Sequence, residues 1–366
     1  VKLVNKGEIV MSKYDVKSED KIIPMTKQKV RKEDKRILHS KVVDVNQLIP
    51  IKYEWAWQYY LDGCANHWMP QEVSMQRDIE QWKNPEMFTD EERWMFKQNL
   101  GFFTTADTLV ANNLVLGVYK LVSAPEIRQY LLRQAFEEAI HTHAYQYIPQ
   151  SLGFDEGELY NMYREVESMN KKAEFEAQLT KQLTDNQFEP NSFESKQMLL
   201  GNLIGYYGIM EGIFFYTAFV MLLTFGRTNR LPGACEQIQY ILRDESMHLN
   251  FGLDLINAIK EENPEIWTDQ FKTEMRERFR YGIDLEIEYG KECLPNGVLG
   301  LTHEMMTDYV KHIGARRMEK IGLEKFDKKT VNPFPWMSEI IDLRKEKNFF
   351  ETRVTEYQTG GSLDWD

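Results

Sequence analysis

The sequence predicts an all-α protein, a helical bundle with short connections, and three observations carry that prediction. Apolar residues recur at helical spacing over several long segments, two of which open on capping-box spacing. Stretches that alternate at period two are scarce, and no repeat at a solenoid period is visible. A Glu-x-x-His pattern occurs twice, at Glu138/His141 and at Glu245/His248, each time inside an apolar helical segment. On a helix, a spacing of three places both side chains on one face.

Taken in order, residues 1–50 are polar and irregular and read as an N-terminal arm lying over the body. The basic run Lys27–Lys35 reads as a solvated part of that arm. Aromatic residues become dense around Trp55–Trp68, and Met69-Pro70 ends that stretch. Thr89-Asp90-Glu91-Glu92 has capping-box spacing and opens a long helix through about Val122, with Asp107 on its apolar stripe. Ser123-Ala124-Pro125-Glu126 has the same spacing, with Pro in the first turn. It opens the helix that carries Glu138, His141 and Tyr145 and ends near Gly153. A charged helix over about 156–183 follows. Next comes a long apolar helix, about 193–225, with Glu211 at its middle. Gly226–Gly233 breaks the chain before a helix that holds Asp244, Glu245 and His248 and runs to about Glu262. Further helices are predicted near 268–293 and 303–321. Asn332-Pro333-Phe334-Pro335-Trp336 reads as an extended segment, and the last residues, ending GGSLDWD, as a polar tail.

Composition narrows the function. A net charge of −12 leaves no general excess of Lys and Arg for phosphates, so neither a nucleic acid nor an anionic membrane is expected as a partner. Three widely spaced cysteines, Cys64, Cys235 and Cys293, suit a reducing cytoplasm better than a disulfide framework. The polar, charged N-terminus shows no signal-peptide pattern. Leu203–Phe225 is apolar enough to cross a bilayer. Glu211 inside it would be costly against lipid, and no aromatic belts flank it, so the segment reads as a buried core helix.

Buried acids need an explanation, because Asp and Glu are almost never fully buried unless paired. Two Glu-x-x-His helices facing each other, joined by one acid from each of two further helices, form a dinuclear metal site in a four-helix bundle. Asp107, Glu138, His141, Glu211, Glu245 and His248 are the candidate ligands. Four carboxylates balance two divalent cations, whereas burying them without metal would be severely unfavourable. Carboxylate and imidazole ligands suit iron or manganese. One Glu-x-x-His alone would be weak, since Glu is common here. Two copies on separate apolar helices, with two more buried acids, are specific. His143 falls off the ligand face and reads as structural. Phe215 and Phe219, one and two turns beyond Glu211, and Ile241, one turn before Glu245, would wall an apolar pocket around Tyr145.

In these residues the chain resembles the small, radical-generating subunit of class I ribonucleotide reductase, from about Tyr53 to the tail. The resemblance implies a ferritin-like helical bundle over 51–340, preceded by the arm and followed by a flexible tail over 341–366. It assigns Asp107 and His141 to one metal, Glu211 and His248 to the other, and Glu138 and Glu245 to both. Tyr145 matches the radical tyrosine, Trp68 and Asp244 the start of the electron-transfer path, and Tyr357 the tail tyrosine that relays the radical. Implied as well are oxygen as co-substrate, a large catalytic subunit docked through the tail, and a homodimer.

The wording FEEAIHTHAY, GYYGIMEGIFFYTAFV and NPFPWMSE is similar to the branch of that family in which Phe replaces the radical tyrosine and a manganese–iron centre stores the oxidising equivalent. This chain departs from that branch with Tyr at 145 and Asp at 107. Both departures point to two irons and a tyrosyl radical, with manganese–iron or two manganese ions as the alternative. A stand-alone di-metal oxidase and a ferritin-like iron store would use the same bundle. The oxidase would not need Tyr357 or the Trp-containing tail, and the iron store gives no role to Trp68 or Tyr145.

Overall fold

The structure, a computed structural model, describes residues 31–38, 48–184 and 188–342. Tyr357 and the tail over 343–366 lie outside the described residues, as does the side chain of Asp107. The helices in chain order are α1 (Glu54–Ala65), α2 (Gln76–Lys83), α3 (Asp90–Asn112), α4 (Tyr119–Leu121), α5 (Pro125–Leu152), α6 (Glu156–Glu165) and α7 (Glu167–Thr184). They continue as α8 (Phe193–Leu203), α9 (Phe215–Arg227), α10 (Pro232–Glu262), α11 (Asp269–Cys293), α12 (His303–Lys320) and α13 (Pro335–Asp342). Isolated β-bridges join Leu38 to Val122 and Val298 to Leu301. The all-α prediction holds among the described residues.

The bundle that positions the site consists of α3, α5, α9 with the turn before it, and α10, which pack on one another. Their start signals act as local chemistry dictates. The Thr89 amide donates to Glu92 Oε2 at 2.9 Å, and the Glu92 amide donates to Thr89 Oγ1 at 3.2 Å, a reciprocal cap. Gly153 ends α5 in the left-handed conformation at φ 75°, which a residue without Cβ adopts freely. The apolar stretch that could span a membrane by length lies within Phe193–Arg227, and its most apolar window is wholly buried. Each such Leu, Ile or Phe contributes about 1.5–3 kcal/mol of burial, and many of them together outweigh the few acids enclosed among them.

Five local expectations need correction. The helix from Thr89 does not run uniformly to Val122: Asn113–Val118 is π-helical. Nor is the apolar segment one α-helix, because Ile204–Phe214, with Glu211 inside it, is also π-helical. Extra residues per turn are hidden in an unbroken apolar sequence, where every register buries apolar groups. At the start of α5 the cap is Ala124, not a Ser123 box. The Ser123 hydroxyl instead donates to the Arg36 carbonyl at 2.9 Å, while Glu126 accepts from the Lys52 amide at 2.7 Å. Tertiary partners from the chain before α1 have taken both side chains. The charged helix breaks at Val166 into α6 and α7. Finally, the segment after Asn332 turns helical from Pro335, where a missing N–H costs nothing at the first helical position.

Candidate metal centre

Glu138, His141 and Tyr145 project from α5, Asp244, Glu245 and His248 from α10, and Glu211 from the π-helical turn, where the side chains of all seven are buried. Glu138, Glu211, Glu245 and His248 each offer a ligand atom, all within 4.8 Å of one another. His141 completes the arrangement from the other side. Its Nδ1 lies 3.3 Å from Glu138 Oε2 and 3.0 Å from Glu245 Oε1. His248 Nδ1 lies 3.2 Å from Glu138 Oε1 and 3.4 Å from Glu245 Oε2. Each glutamate thus turns one oxygen toward each histidine, which defines two neighbouring positions spanned by the same two carboxylates. The backbone of Asp107 belongs to α3, the fourth helix of the bundle.

Both oxygens of Glu138 and of Glu245, Oε2 of Glu211, and Nδ1 of both histidines are buried without an aligned hydrogen-bond partner. Buried polar atoms are ordinarily paired. A set of orphaned oxygens and imidazole nitrogens converging on one point is what divalent cations would satisfy, and this donor set fits iron or manganese.

The opposite edge of each imidazole is held by an acid. His141 Nε2 faces Asp244 Oδ2 at 3.2 Å, and His248 Nε2 faces Glu137 Oε2 at 2.8 Å. A carboxylate there takes the ring N–H and leaves Nδ1 as the free ligand nitrogen. Glu137 is anchored by Arg133 Nε at 3.0 Å, and Arg133 also donates to the Asn66 carbonyl at 2.9 Å. Asp244 accepts from Trp68 Nε1 at 2.8 Å and from the Asn66 amide. Trp68 also packs on Tyr240, ring centroids 5.3 Å apart.

Charge follows from these contacts. Burial works to raise the Glu138 carboxyl, but bonds from His141 and His248 bring it down to about 2. Burial likewise opposes Asp244, yet His141, Arg243 and Trp68 hold it below the usual carboxylate range. Glu211 is pushed well up, by burial first and then by the charge of Glu245. Burial disfavours both imidazolium ions, but the surrounding carboxylates overcome it and raise both histidines.

Tyr145 is fully buried, and its ring stacks on Phe103 at 4.5 Å with 4° between planes. Phe103 in turn contacts Phe219 at 5.2 Å and Phe215 at 5.3 Å. Phe215, Phe219 and Ile241 are buried as expected, but the direct ring partner of Tyr145 is Phe103 of α3. His143 is exposed on α5, with Nε2 3.1 Å from Gln71 Oε1.

Glu137, Gln134 and Arg133 were also missed. Gln134 Nε2 donates to Glu211 Oε1 at 3.0 Å and its Oε1 accepts from the Tyr207 hydroxyl at 2.9 Å. A signal for Glu137 existed, since both motifs read acid-Glu-x-x-His: Glu137-Glu138…His141 and Asp244-Glu245…His248. Each leading acid serves the histidine of the opposite helix.

The chain matches the family model for the ribonucleotide reductase small chain over residues 45–333. It is 56% identical over 338 residues to the ribonucleoside-diphosphate reductase subunit beta of Chlamydia pneumoniae, covering 92% of this chain and 97% of that protein. The corresponding subunit of Treponema pallidum is 27% identical over 336 residues, covering 90% and 92%. Among solved structures, the ribonucleotide reductase R2 subunit from Clostridium botulinum aligns with a TM-score of 0.75 and 27% identity, over 84% of this chain and 94% of that one.

Proposed function

The chain belongs to the ribonucleotide reductase small-chain family, and on that premise we propose that its buried centre binds two iron ions and serves to place an oxidising equivalent on Tyr145. Proteins of this family are the small subunit of ribonucleoside-diphosphate reductase, work with a large subunit and are typically dimeric. The observation that carries the proposal is the pair of glutamates, Glu138 and Glu245, each offering one oxygen to each histidine's position.

In this reading Asp107 and His141 would hold one metal, Glu211 and His248 the other, and Glu138 and Glu245 would be shared between them. Two bound metals would supply redox chemistry with molecular oxygen, through which the Tyr145 phenol would lose one electron and one proton. The remaining work belongs to the protein. Asp244 and Glu137 fix the imidazole orientation and tautomer. Phe103, Phe215 and Phe219 keep water and reductants from Tyr145, which protects a radical there from quenching. Asp244 links His141 to Trp68 through one carboxylate oxygen, a hydrogen-bonded path along which an electron would travel inward as the oxidising equivalent moves outward. Tyr357 would relay the radical to the large subunit, with the tail docking there.

Replacing Tyr145 with Phe tests the proposal. It removes one hydroxyl at nearly constant volume, so stability should shift by only about 1 kcal/mol. The variant should bind two metals per chain and lose both the oxygen-dependent tyrosine signal in electron paramagnetic resonance and the reductase activity. Retention of activity by the Phe variant would refute it. A radical-free but active wild type would instead assign the stored oxidant to a manganese-containing centre, which anomalous scattering at the iron and manganese edges would identify. One metal per chain, or many, would argue against the dinuclear assignment.

A further inference from the structure

Away from the metal centre, α7 and α11 enclose a second set of buried charges. Lys172 and Glu286 are both 0% exposed, with Nζ 2.8 Å from Glu286 Oε2. Glu176, one turn beyond Lys172, is also buried, and burial raises its carboxyl to about 8. Burial likewise raises the Glu286 carboxyl and lowers the Lys172 ammonium, and their mutual contact opposes both shifts, so Glu286 is the counter-charge that holds the ammonium. The rest of the ammonium is surrounded by aromatic rings: Nζ lies 3.5 Å from the ring centroid of Phe102, 3.9 Å from Tyr289 and 4.6 Å from Phe214.

These rings continue the wall of the Tyr145 pocket. Tyr145 stacks on Phe103 at 4.5 Å, Phe103 lies 5.4 Å from Phe102, and Phe102 lies 5.7 Å from Tyr289. The phenylalanines are hard to oxidise, but Tyr289 and Cys293, one turn apart on α11, are not. Their hydrogens go to amide oxygens: the Tyr289 hydroxyl donates to Asn99 Oδ1 at 3.2 Å and the Cys293 thiol to Gln98 Oε1 at 3.1 Å. An amide oxygen is no base and cannot keep a proton released on oxidation.

We propose that the Lys172 ammonium is an electrostatic barrier that confines the oxidising equivalent to Tyr145 by making Tyr289 and Cys293 poor electron donors. The proposal rests on the reading of Tyr145 as the radical site. The step it suppresses starts with the electron: the Tyr145 phenoxyl takes one electron from Tyr289, whose ring is a radical cation until its hydroxyl proton leaves, and one proton then returns Tyr145 to a phenol and leaves Tyr289 as the phenoxyl. A cation held against the Tyr289 ring attracts its filled π-system and repels a ring that has lost an electron, most strongly where water is absent. Cohesion between α7 and α11 does not by itself call for charges here. A buried ion pair is generally no more stabilising than apolar side chains of the same volume.

The test uses the full-length protein loaded with Fe(II) and exposed to oxygen, with radical lifetime followed by electron paramagnetic resonance. Lys172→Met combined with Glu286→Leu removes both charges at similar volume. It should form the Tyr145 radical in wild-type yield but shorten its lifetime on the order of thirtyfold, the rate factor of a desolvated cation–ring attraction of about 2 kcal/mol. Lys172→Arg alone, which keeps a cation paired with Glu286, should leave the lifetime near the wild-type value. Adding Tyr289→Phe and Cys293→Ser to the double variant should restore it. Should the apolar pair not fold, Lys172→Gln with Glu286→Gln carries the same expectation. The barrier is overturned if the double variant keeps the wild-type lifetime, if Lys172→Arg shortens it as much, or if the added substitutions restore nothing. A wild type that binds two irons and shows no tyrosine radical would instead sink the Tyr145 reading, and the barrier with it.

Discussion

Glu137 offers the sharpest test of how the centre is held, because its partner is a single imidazole. Glu137→Leu keeps roughly the side-chain volume and removes the acceptor 2.8 Å from His248 Nε2. Arg133 loses its carboxylate at 3.0 Å but keeps the Asn66 carbonyl at 2.9 Å, so it is not stranded. The cost falls on His248, whose ring N–H is left buried without a partner and whose orientation and tautomer are no longer set. Loss of such an outer carboxylate typically weakens metal binding 10- to 100-fold, or about 1.4–2.7 kcal/mol. Metal-free stability should move less, because Glu137 is itself pushed up by burial and its removal also relieves a desolvation penalty. The effect should be confined to one of the two positions. Asp244 still faces His141 at 3.2 Å, so the other position keeps its affinity. Anaerobic Fe(II) titration against a competing chelator reads this directly, with one of two binding steps shifted in Glu137→Leu. Asp244→Leu should shift the opposite step. Two unshifted steps in Glu137→Leu, or equal weakening of both, would refute the assignment of Glu137 to His248 alone.

Three further expectations follow from the same contacts. Metal-free protein, which leaves the oxygens of Glu138 and Glu245 unsatisfied, should unfold at a lower temperature than the Fe(II)-loaded protein under nitrogen; equal melting temperatures would count against a buried two-metal site. At Gly252 a Cβ would overlap the Tyr207 ring, whose hydroxyl positions Gln134 against Glu211. Gly252→Ala should therefore cost about 1–3 kcal/mol in urea unfolding, and a neutral result would place slack where the structure shows none. Glu176 has its folded carboxyl raised from the ordinary 4.5 to about 8, so its contribution to stability is complete below pH 4.5 and lost as pH rises through 8. The slope is about 1.4 kcal/mol per pH unit within that window. Glu176→Gln should flatten the profile there, and parallel wild-type and variant profiles would show that Glu176 does not titrate as described.

What the sequence determined by itself is local. Helical spacing aligns Glu138 with His141 and Glu245 with His248 wherever the helices lie, because the α-helical turn is the same in every context. Thr89 and Glu92 cap α3 with atoms three residues apart, so that too was legible, as was the core role of the apolar stretch within Phe193–Arg227. Tertiary structure decided whatever depends on which faces meet. The Ser123 box yielded to the Arg36 carbonyl and the Lys52 amide, partners distant in sequence that only the fold brings there. The π-helical turn around Glu211 left no mark on the hydrophobic pattern, since a segment buried all round tolerates any register. Glu137 could have been noticed beside Glu138, yet its task belongs to a histidine on another helix. Lys172, Glu286 and Tyr289 form one cluster only because α7 packs on α11. Spacing within a helix is set by backbone geometry, whereas pairing between helices is set by how the whole core packs.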